Sequence, residues 1–232
     1  MSAPYVGSEL ALFAEARHWK NYVARLIAPF LGPRVMEVGA GLGSNIAYLH
    51  RPPVREWLAL EPDAAMAREI EAKIARRELP SSCHARAGTI ADVAEQFDAI
   101  LYLDVLEHIE DDRAELIAAS RHLVPGGRVV VLAPAHQFLF SPFDAAIGHH
   151  RRYSAASLRS AAPPELRLLS CRMLDSVGFF ASLANRLVLR SAQPTPREIA
   201  LWDRVMVPLS RIADPATLFR FGKSVLAVWA AP

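Results

Sequence analysis

Three glycines stand where a predicted strand passes into a predicted helix: Gly39, Gly41 and Gly43. Glycine adopts positive φ and lets a ligand approach the backbone closely, so this loop predicts a cradle for a nucleotide-like ligand. Glu61 ends the next predicted strand, 18 residues after Gly43. A carboxylate at the carboxyl end of a strand can accept both hydroxyl hydrogens of a ribose. The combination indicates an adenosyl ligand.

The details of the loop distinguish between adenosyl ligands. A dinucleotide fingerprint has the pattern G-x-G-x-x-G/A, whereas Ser44 stands at the third small position here. Glu37, just before the glycines, would repel a phosphate and favours a cationic ligand. S-adenosylmethionine carries an ammonium and a sulfonium and no phosphate. The loop therefore favours S-adenosylmethionine over NAD, and the sequence has no G-x-x-x-x-G-K-[ST] phosphate loop.

A second group of reactive side chains follows the strand predicted over 128–133. S-adenosylmethionine can donate the methyl group on its sulfur. Methyl transfer is an in-line displacement, so an enzyme must align the acceptor with the methyl carbon and exclude water. An oxygen acceptor also benefits from a base, for which histidine has a suitable pKa. The candidate catalytic residues are His136, His149, His150 and Tyr153.

Arg151 and Arg152 give the most specific indication in this second group. Guanidinium forks bind carboxylate or phosphate in bidentate fashion, so the pair predicts a site for an anionic substrate. In the alternative interpretation, the two arginines pair with Asp144 or Glu110 and hold the loop in place. The sequence leaves both interpretations open.

Alternating strands and helices must position these groups. Hydrophobic runs and breakers predict strands over 34–38, 57–60, 84–87, 97–103 and 128–133, with helices over 64–79 and 110–123. Pro125-Gly126-Gly127 marks the end of the second helix. Farther along, the pattern predicts a long loop, a strand over 166–173, helices over 176–189 and 198–212, and a strand over 223–229. Parallel strands need crossover connections, so the fold class is α/β, with a mostly parallel, doubly wound sheet.

Composition narrows the class of protein. Of 232 residues, 52% are hydrophobic and 22% charged, which excludes a disordered chain. The net charge of +2 provides no field for nucleic acid, despite a pI near 8.7. Cys83 and Cys171 are too few and too far apart for a disulfide framework or zinc cluster. With no basic leader and no apolar run of about 18 residues, we expect a cytoplasmic protein without integral membrane association.

Four motifs in order resemble class I S-adenosylmethionine-dependent methyltransferases: RVMEVGAGLGSNIAYL, ALEPD, FDAILYLDVLEHIEDD and LVPGGRVVVLAPA. The resemblance is strongest to the small-molecule branch with ubiquinone-biosynthesis-type enzymes, methyltransferase types 11 and 12. It covers residues 30–155 closely. It implies a Rossmann-like, seven-stranded sheet and a single domain over 1–232. Within that domain, 1–31 form a helical lid, 32–135 the cofactor-binding core and 136–232 the acceptor side, with extra helices before the last strand.

The resemblance also implies site residues. It assigns Glu37 and Gly39 to the methionine end of the cofactor, and Glu61 to the ribose. The other implied cofactor contacts are Ala40, Gly41 and Gly43 in the loop, Pro62 after the ribose carboxylate, Thr89 and Ile90 near adenine, and Asp104 and Val105 near the sulfonium or amino group. Asp92 is a second candidate for adenine.

Some residues carry two interpretations. Glu107 and His108 lie in the family phrase DVLEHI, but they could equally cap the helix that begins near Glu110. Tyr5, Trp19, Asn21 and Tyr22 are implied to form the lid, with Tyr22 binding substrate, although core packing explains Trp19 equally well. The apolar helices between 176 and 212 enlarge the acceptor pocket or form a homodimer interface, in preference to a peripheral lipid contact. No metal ligand set is assigned.

The function favoured by these features is S-adenosylmethionine-dependent methyl transfer to a small molecule, which the two arginines suggest is anionic. The alternative is a lyase or cyclase that consumes the same cofactor and releases methylthioadenosine. An NAD-dependent oxidoreductase is disfavoured by Glu37 and Ser44. A nucleic-acid methyltransferase is disfavoured because no Pro-Pro-aromatic phrase follows Asp104. A non-catalytic cofactor-binding scaffold is the remaining alternative, and the acceptor and the methylated atom stay open.

Overall fold

The computed structural model describes residues 15–188 and 195–232. The strands are β1 (Arg34–Val38), β2 (Glu56–Glu61), β3 (Cys83–Ala87), β4 (Phe97–Leu103), β5 (Leu123–Pro134), β6 (Arg167–Leu174) and β7 (Ser224–Ala230). The first part of the predicted lid, residues 1–14 with Tyr5, lies outside the described residues. So does the predicted end of the helix over 176–189.

Helices connect the strands, and short helical turns lie between some of them. The α-helices are α1 (Arg17–Ile27), α2 (Ile46–Leu49), α3 (Ala64–Ala75), α4 (Asp112–Arg121), α5 (Pro142–Ala146), α6 (Ala155–Ala161), α7 (Ser176–Val188), α8 (Pro196–Leu201) and α9 (Val207–Ala216). The 3₁₀ turns span Ala28–Phe30, Ile90–Asp92, Leu106–His108 and Gln137–Leu139, and a π-helical turn spans Trp202–Met206.

The strands form one seven-stranded sheet in the order β3-β2-β1-β4-β5-β7-β6. The pairs from β3 through β5 are parallel, whereas β7 runs antiparallel to both β5 and β6. The order reverses between β1 and β4, where ligands bind in open α/β sheets. The structure confirms the predicted α/β, Rossmann-like, mostly parallel sheet.

The sheet is buried on both faces. Along β1, Val35 packs into one hydrophobic cluster, whereas its neighbours Met36 and Val38 pack into a second cluster on the opposite face. Side chains of a strand alternate between the faces, and a central parallel strand needs apolar residues on both. Glu37 is therefore an exception, because it is a carboxylate on this buried strand.

One predicted boundary was wrong for an identifiable reason, and one predicted helix contains a π-helical turn. Pro125-Gly126-Gly127 does not end helix α4 but lies inside β5, whose pairing with β4 shifts register there. Proline lacks an N–H donor and Gly126 has φ of 71°, so the segment forms a bulge instead of a break. The helix predicted over 198–212 is split into α8 and α9 by the π-helical turn.

The described part of the lid, α1, is fixed by the helices between β6 and β7. Ala16 gives α1 no capping side chain. Instead the carboxylate of Asp203, in the π-helical turn, accepts hydrogen bonds from the backbone N–H groups of His18 at 3.2 Å and Trp19 at 2.8 Å. This contact joins residues 184 positions apart. Among the described helices, none is long and apolar enough to cross a membrane.

Candidate functional site

The glycine loop connects β1 to helix α2 and lies at the carboxyl edge of the sheet. Gly39, Gly41 and Gly43 all have positive φ, from 56° to 70°. The Gly39 N–H donates to the Leu60 carbonyl at 2.8 Å, which holds the loop against the end of β2. A Cβ at Gly39 would lie 2.7 Å from both γ-methyl groups of Val105. The loop and the end of β4 therefore approach as closely as glycine permits.

Glu61 lies at the end of β2, beside this loop, and 6% of it is exposed. Its two carboxylate oxygens accept hydrogen bonds from the backbone N–H groups of Gly41 at 2.8 Å and Asp63 at 3.0 Å. Burial raises the pKa of Glu61, while these two hydrogen bonds oppose the shift. Each carboxylate oxygen has a second lone pair, so the residue can also accept from a ligand.

Glu37 is 1% exposed at the end of β1. The Asn45 amide donates to its Oε1 at 2.7 Å, whereas Oε2 has no hydrogen-bond partner within residues 15–188 and 195–232. Lys20 donates to Asn45 Oδ1 and to Ser44 Oγ, both at 2.9 Å. Burial raises the pKa of Glu37 to about 7, against the opposing effects of Asn45 and Lys20. The orphaned oxygen fits the ammonium of a ligand.

Asp104 follows β4 and has φ of 57°, an uncommon conformation for a residue with a Cβ. Its side chain contacts solvent, but the surrounding protein raises its pKa to about 6 by desolvation. The charges of Lys20, His149 and Lys223 oppose this shift. Asp104 therefore interacts electrostatically with Lys20 of helix α1 and with His149 of the segment over 136–153.

The predicted adenine contacts lie on the turn after β3. Thr89 and Asp92 form a capping box, in which the Asp92 carboxylate accepts from the Thr89 N–H at 2.8 Å and its hydroxyl at 3.1 Å. Ile90 is buried, and Pro62 is exposed beside Glu61. The carboxylate of Asp92 is thus held by the turn itself.

His149 is the histidine of the second group that lies deepest in the site. Its Nδ1 is 3.0 Å from Asp144 Oδ1, and its Nε2 is 3.8 Å from Glu107 Oε1. The His108 and His149 rings meet edge to face, with centroids 4.5 Å apart. His149 therefore links the segment over 136–153 to the turn after β4.

The side chains of the other candidate bases have different surroundings. His150 is exposed, and the Nε2 of His136 is 2.9 Å from the carbonyl oxygen of Gly222. The hydroxyl of Tyr153 is buried and donates to Asp112 at 2.7 Å. Burial and this hydrogen bond raise the pKa of Tyr153 above its ordinary range. Because its proton is held so firmly, we do not assign Tyr153 as a base.

The two arginines are occupied by protein groups. Arg152 forms a bidentate pair with Asp144, with two N–O distances of 2.9 Å. Arg151 donates to the carbonyls of Ile109 at 3.0 Å and Glu110 at 2.7 Å, and lies 2.9 Å from Asp112. These contacts correspond to the interpretation in which the arginines hold the loop. The partner of Arg151 near Glu110 is its backbone, not its carboxylate.

The capping interpretation of Glu107 and His108 does not match the structure. Asp111 caps helix α4, because its carboxylate accepts from the Ala114 N–H at 2.9 Å. Glu107 and His108 instead form part of a separate 3₁₀ turn. Glu107 is 1% exposed, so it is a buried carboxylate on the turn after β4.

Tyr22, the predicted substrate contact of the lid, is buried and donates to Asp214 Oδ2 at 2.7 Å. Trp19 packs into the hydrophobic core beside it. Lys20, on the same helix, reaches the cofactor side through Ser44 and Asn45. Sequence reasoning missed Lys20 and Asn45, and no local signal distinguishes them from ordinary polar residues.

Comparison with known proteins supports the methyltransferase resemblance. Residues 36–129, about two fifths of the chain, match the family described as a methyltransferase domain. The chain is also similar to individual methyltransferases. It is 34% identical over 124 residues to the ubiquinone biosynthesis O-methyltransferase of Ruegeria pomeroyi, covering 46% of this chain and 48% of that one. It is 26% identical over 200 residues to the trans-aconitate 2-methyltransferase of Deinococcus radiodurans, covering 81% and 75%.

Solved methyltransferases share the fold of this domain. A geranyl diphosphate methyltransferase in complex with S-adenosylmethionine superposes with a TM-score of 0.67 and 15% identity, covering 100% of this chain and 93% of that one. The N-methyltransferase NodS of Bradyrhizobium japonicum WM9 gives 0.57 and 15%, covering 95% and 97%. The methyltransferase resemblance predicted from the motifs is confirmed. The chain spans less than half the length of the first curated relatives that it matches, 25%, 40% and 48%.

Proposed function

We propose that this chain transfers a methyl group from S-adenosylmethionine to a small molecule. The proposal rests on two buried carboxylates, Glu37 and Glu61. They lie at the ends of adjacent parallel strands, on either side of a glycine loop. Glu37, with an orphaned Oε2, would bind the ammonium, and Glu61 would accept from the ribose hydroxyls. When bound, the cofactor supplies an electrophilic methyl group on a positively charged sulfur.

The acceptor would approach from the segment over 136–153. The charge of Asp104 is influenced by Lys20, which contacts Ser44 beside the glycine loop, and by His149 of this segment. An acceptor bound near Asp104 would have to lie in line with the bond between sulfur and the methyl carbon, because displacement requires that alignment. Because Arg151 and Arg152 are engaged by protein groups, we do not assign them to an anionic acceptor.

Calorimetry and product analysis test the proposal. The full chain is titrated with S-adenosylmethionine and with S-adenosylhomocysteine, and then incubated with the former and candidate acceptors. Binding of both, with S-adenosylhomocysteine formed only when an acceptor is present, supports the proposal. Release of methylthioadenosine without an acceptor would show a lyase or cyclase instead, and absence of binding would refute the cofactor assignment.

Cofactor binding should depend on pH through Glu37. Its pKa of about 7 means that roughly half of the free protein is protonated there at neutral pH. A bound ammonium favours the ionised form, so affinity for S-adenosylhomocysteine should rise from pH 6 to pH 8, by up to about tenfold per unit below the pKa. Calorimetry in buffers of different ionisation enthalpy should detect proton release near pH 6 and little near pH 8.5.

The matched variant is Glu37→Gln, which keeps the shape and the hydrogen bond to Asn45. We expect weaker binding and a flat profile between pH 6 and pH 8. Lys20 and Glu61 face the same site and stay unchanged in the variant. If the affinity of Glu37→Gln still rises with pH, the titrating proton belongs to another group.

The raised pKa of Glu37 affects the stability of the unliganded protein in the opposite direction. Its contribution to the free energy of unfolding falls as the pH rises from about 4.5 to 7.

A further inference from the structure

Lys223 lies at the carboxyl edge of the sheet, immediately before β7. Its carbonyl accepts from the Ala135 N–H at 2.8 Å, which places it beside the end of β5. Unlike Arg151 and Arg152, its ammonium has no hydrogen bond and no ion pair with any residue that the structure describes. We propose that Lys223 binds an anionic group of the methyl acceptor, and that neighbouring aromatic side chains bind an apolar body of the same molecule.

The ammonium of Lys223 lies against an aromatic ring. Its Nζ is 5.0 Å from the centroid of the Trp202 ring. Trp202 begins the π-helical turn, and its indole N–H donates to Asp175 Oδ2 at 2.6 Å, which fixes the ring. The π-electrons of an indole attract a cation but do not replace an oxygen acceptor for its N–H groups. The ammonium is therefore positioned by the ring and can still donate to an anion.

Asp175 is the acid whose charge acts most strongly on Lys223, but other donors use its carboxylate. Its Oδ1 accepts from the Ser210 hydroxyl at 2.7 Å and from the Gly178 N–H at 3.0 Å, and its Oδ2 accepts from the indole. Desolvation lowers the pKa of Lys223, and the charge of Asp175 opposes this shift. Desolvation of an ammonium is costly unless an anion compensates it, so a bound anion would stabilise the charged form.

Three further charged groups act on Lys223 through space: Arg152, Asp104 and Asp144. Asp144 forms the bidentate pair with Arg152, so these two charges largely compensate each other. The charge of Lys20 acts on Asp104 more strongly than that of Lys223 does. Since none of the described acids is hydrogen-bonded to the Lys223 ammonium, an anionic ligand would not have to displace one.

Four aromatic side chains extend from Lys223 to the protein surface, and we call His136, Phe138, Phe179 and Phe180 the aromatic cluster. The Nε2 of His136 is 2.9 Å from the carbonyl oxygen of the residue before Lys223. The centroid of the His136 ring is 4.8 Å from that of Phe179 and 5.1 Å from that of Phe138, and Phe180 is 5.3 Å from Phe179. Phe138 is 50% exposed and Phe180 58%. Neighbouring exposed aromatic rings are typical of a surface that binds an apolar group.

The two features together specify an amphiphilic anion. An ammonium binds a carboxylate, phosphate or sulfonate through charge-assisted hydrogen bonds, and an aromatic or other apolar body packs against rings. Inorganic phosphate has no such body, and a neutral apolar compound has no group for Lys223. The binding site itself is independent of methyl transfer, whereas the role of its ligand as the acceptor rests on the proposed function.

Fluorescence titration of the full chain with two matched probes tests the site without using activity. Anilinonaphthalene sulfonate carries an aromatic body and one anionic group, whereas phenylnaphthylamine has the same body without the anion. Lys223→Met keeps an unbranched side chain but removes the charge, so it should weaken sulfonate binding by about 10-fold or more and change binding of the neutral probe by less than about twofold. Phe179→Ala should weaken binding of both probes.

Arg204→Met is the matched control, because Arg204 is an exposed cation on the same π-helical turn as Trp202. It should bind both probes as the unchanged chain does, and Lys223→Arg should recover most of the sulfonate affinity. Circular dichroism checks that each variant is folded. The proposal fails if folded Lys223→Met keeps its sulfonate affinity or loses affinity for both probes equally. It also fails if Arg204→Met has the same effect as Lys223→Met.

Displacement of the sulfonate probe from the unchanged chain requires no variant. Naphthoate and naphthyl phosphate present the two anions on one body, and naphthalenemethanol is the neutral control. Stronger displacement by naphthoate would assign a carboxylate, and stronger displacement by naphthyl phosphate a phosphate ester. Displacement by naphthalenemethanol as strong as that by both anions would overturn the role of Lys223, even if Lys223→Met does not fold.

Titration of the same protein with S-adenosylhomocysteine separates this outcome from that of the proposed function. Cofactor binding without Lys223-dependent binding of the sulfonate would refute the anion site and leave methyl transfer intact. Lys223-dependent binding of the sulfonate without cofactor binding would support the anion site and refute the assignment of its ligand as a methyl acceptor.

Discussion

Replacing Glu61 with alanine is expected to weaken binding of S-adenosylhomocysteine by at least about 100-fold. The variant removes two charge-assisted hydrogen bonds to ribose hydroxyls, each worth about 1.5–3 kcal/mol when the acceptor is a buried carboxylate. It also leaves the N–H groups of Gly41 and Asp63 without their acceptor, so the glycine loop loses one of its hydrogen bonds to β2. Isothermal calorimetry measures the loss directly.

The control lies on the same strand. Glu56 begins β2 at the opposite edge of the sheet, where it is exposed and pairs with Arg34 at 3.1 Å. Glu56→Ala should keep full affinity, because a surface ion pair contributes about 0–1 kcal/mol and lies far from the carboxyl edge. Glu61→Gln should fall between the two, since its amide oxygen can still accept from one backbone N–H. Unchanged affinity in Glu61→Ala would end the ribose assignment.

The fold was predictable because its signals are local. The strand over 34–38 was predicted with the bounds that β1 has, since β-branched residues follow Gly32-Pro33 and precede the glycine loop. Strand β4 was predicted over its full length because residues 97–103 form a nearly continuous apolar run. Alternation with helices then requires parallel crossovers, which fixes the fold class. The Gly39 and Glu61 positions follow directly, because both stand at strand ends.

The partners of individual side chains were not predictable in the same way. The pairing of Arg152 with Asp144 was one of two interpretations that the sequence left open, whereas Asp214, the partner of Tyr22, lies 192 residues away. Charge and hydrogen-bonding capacity can be taken from a sequence, but the partner depends on how distant elements pack. The sequence therefore left the role of the arginines open and gave no partner for the tyrosine, and the structure shows that protein groups use both.

The surroundings of His149 were unpredictable for the same reason, because they depend on how distant elements pack. His149 was one of four candidate bases because histidine titrates near neutral pH. Glu107 and His108 were left between a family role and helix capping. Their convergence depends on the fold of the segment over 136–153, which has no regular hydrophobic period to predict it. Asp144, which orients His149, was considered only as a partner of the arginines.

The second large effect is expected at Asp214, which is fully buried in α9. Its carboxylate accepts from the Tyr22 hydroxyl at 2.7 Å and from the backbone N–H groups of Asp175 at 2.8 Å and Ser176 at 2.9 Å. It thereby joins helix α1 to the start of α7. Asp214→Ala leaves three buried donors without an acceptor, each costing about 1–3 kcal/mol, so the free energy of unfolding should fall by at least about 3 kcal/mol.

Urea unfolding followed by circular dichroism measures this loss, and Tyr22→Phe is the matched variant. The phenylalanine removes one of the three hydrogen bonds and leaves both backbone donors paired, so a loss of about 1–2 kcal/mol is expected. The two variants would be equal only if the backbone N–H groups contributed nothing. Tyr22→Phe also tests the predicted substrate contact. Because the hydroxyl is engaged by Asp214, the KM for an acceptor should stay unchanged in the folded variant, and a raised KM would return Tyr22 to the acceptor site.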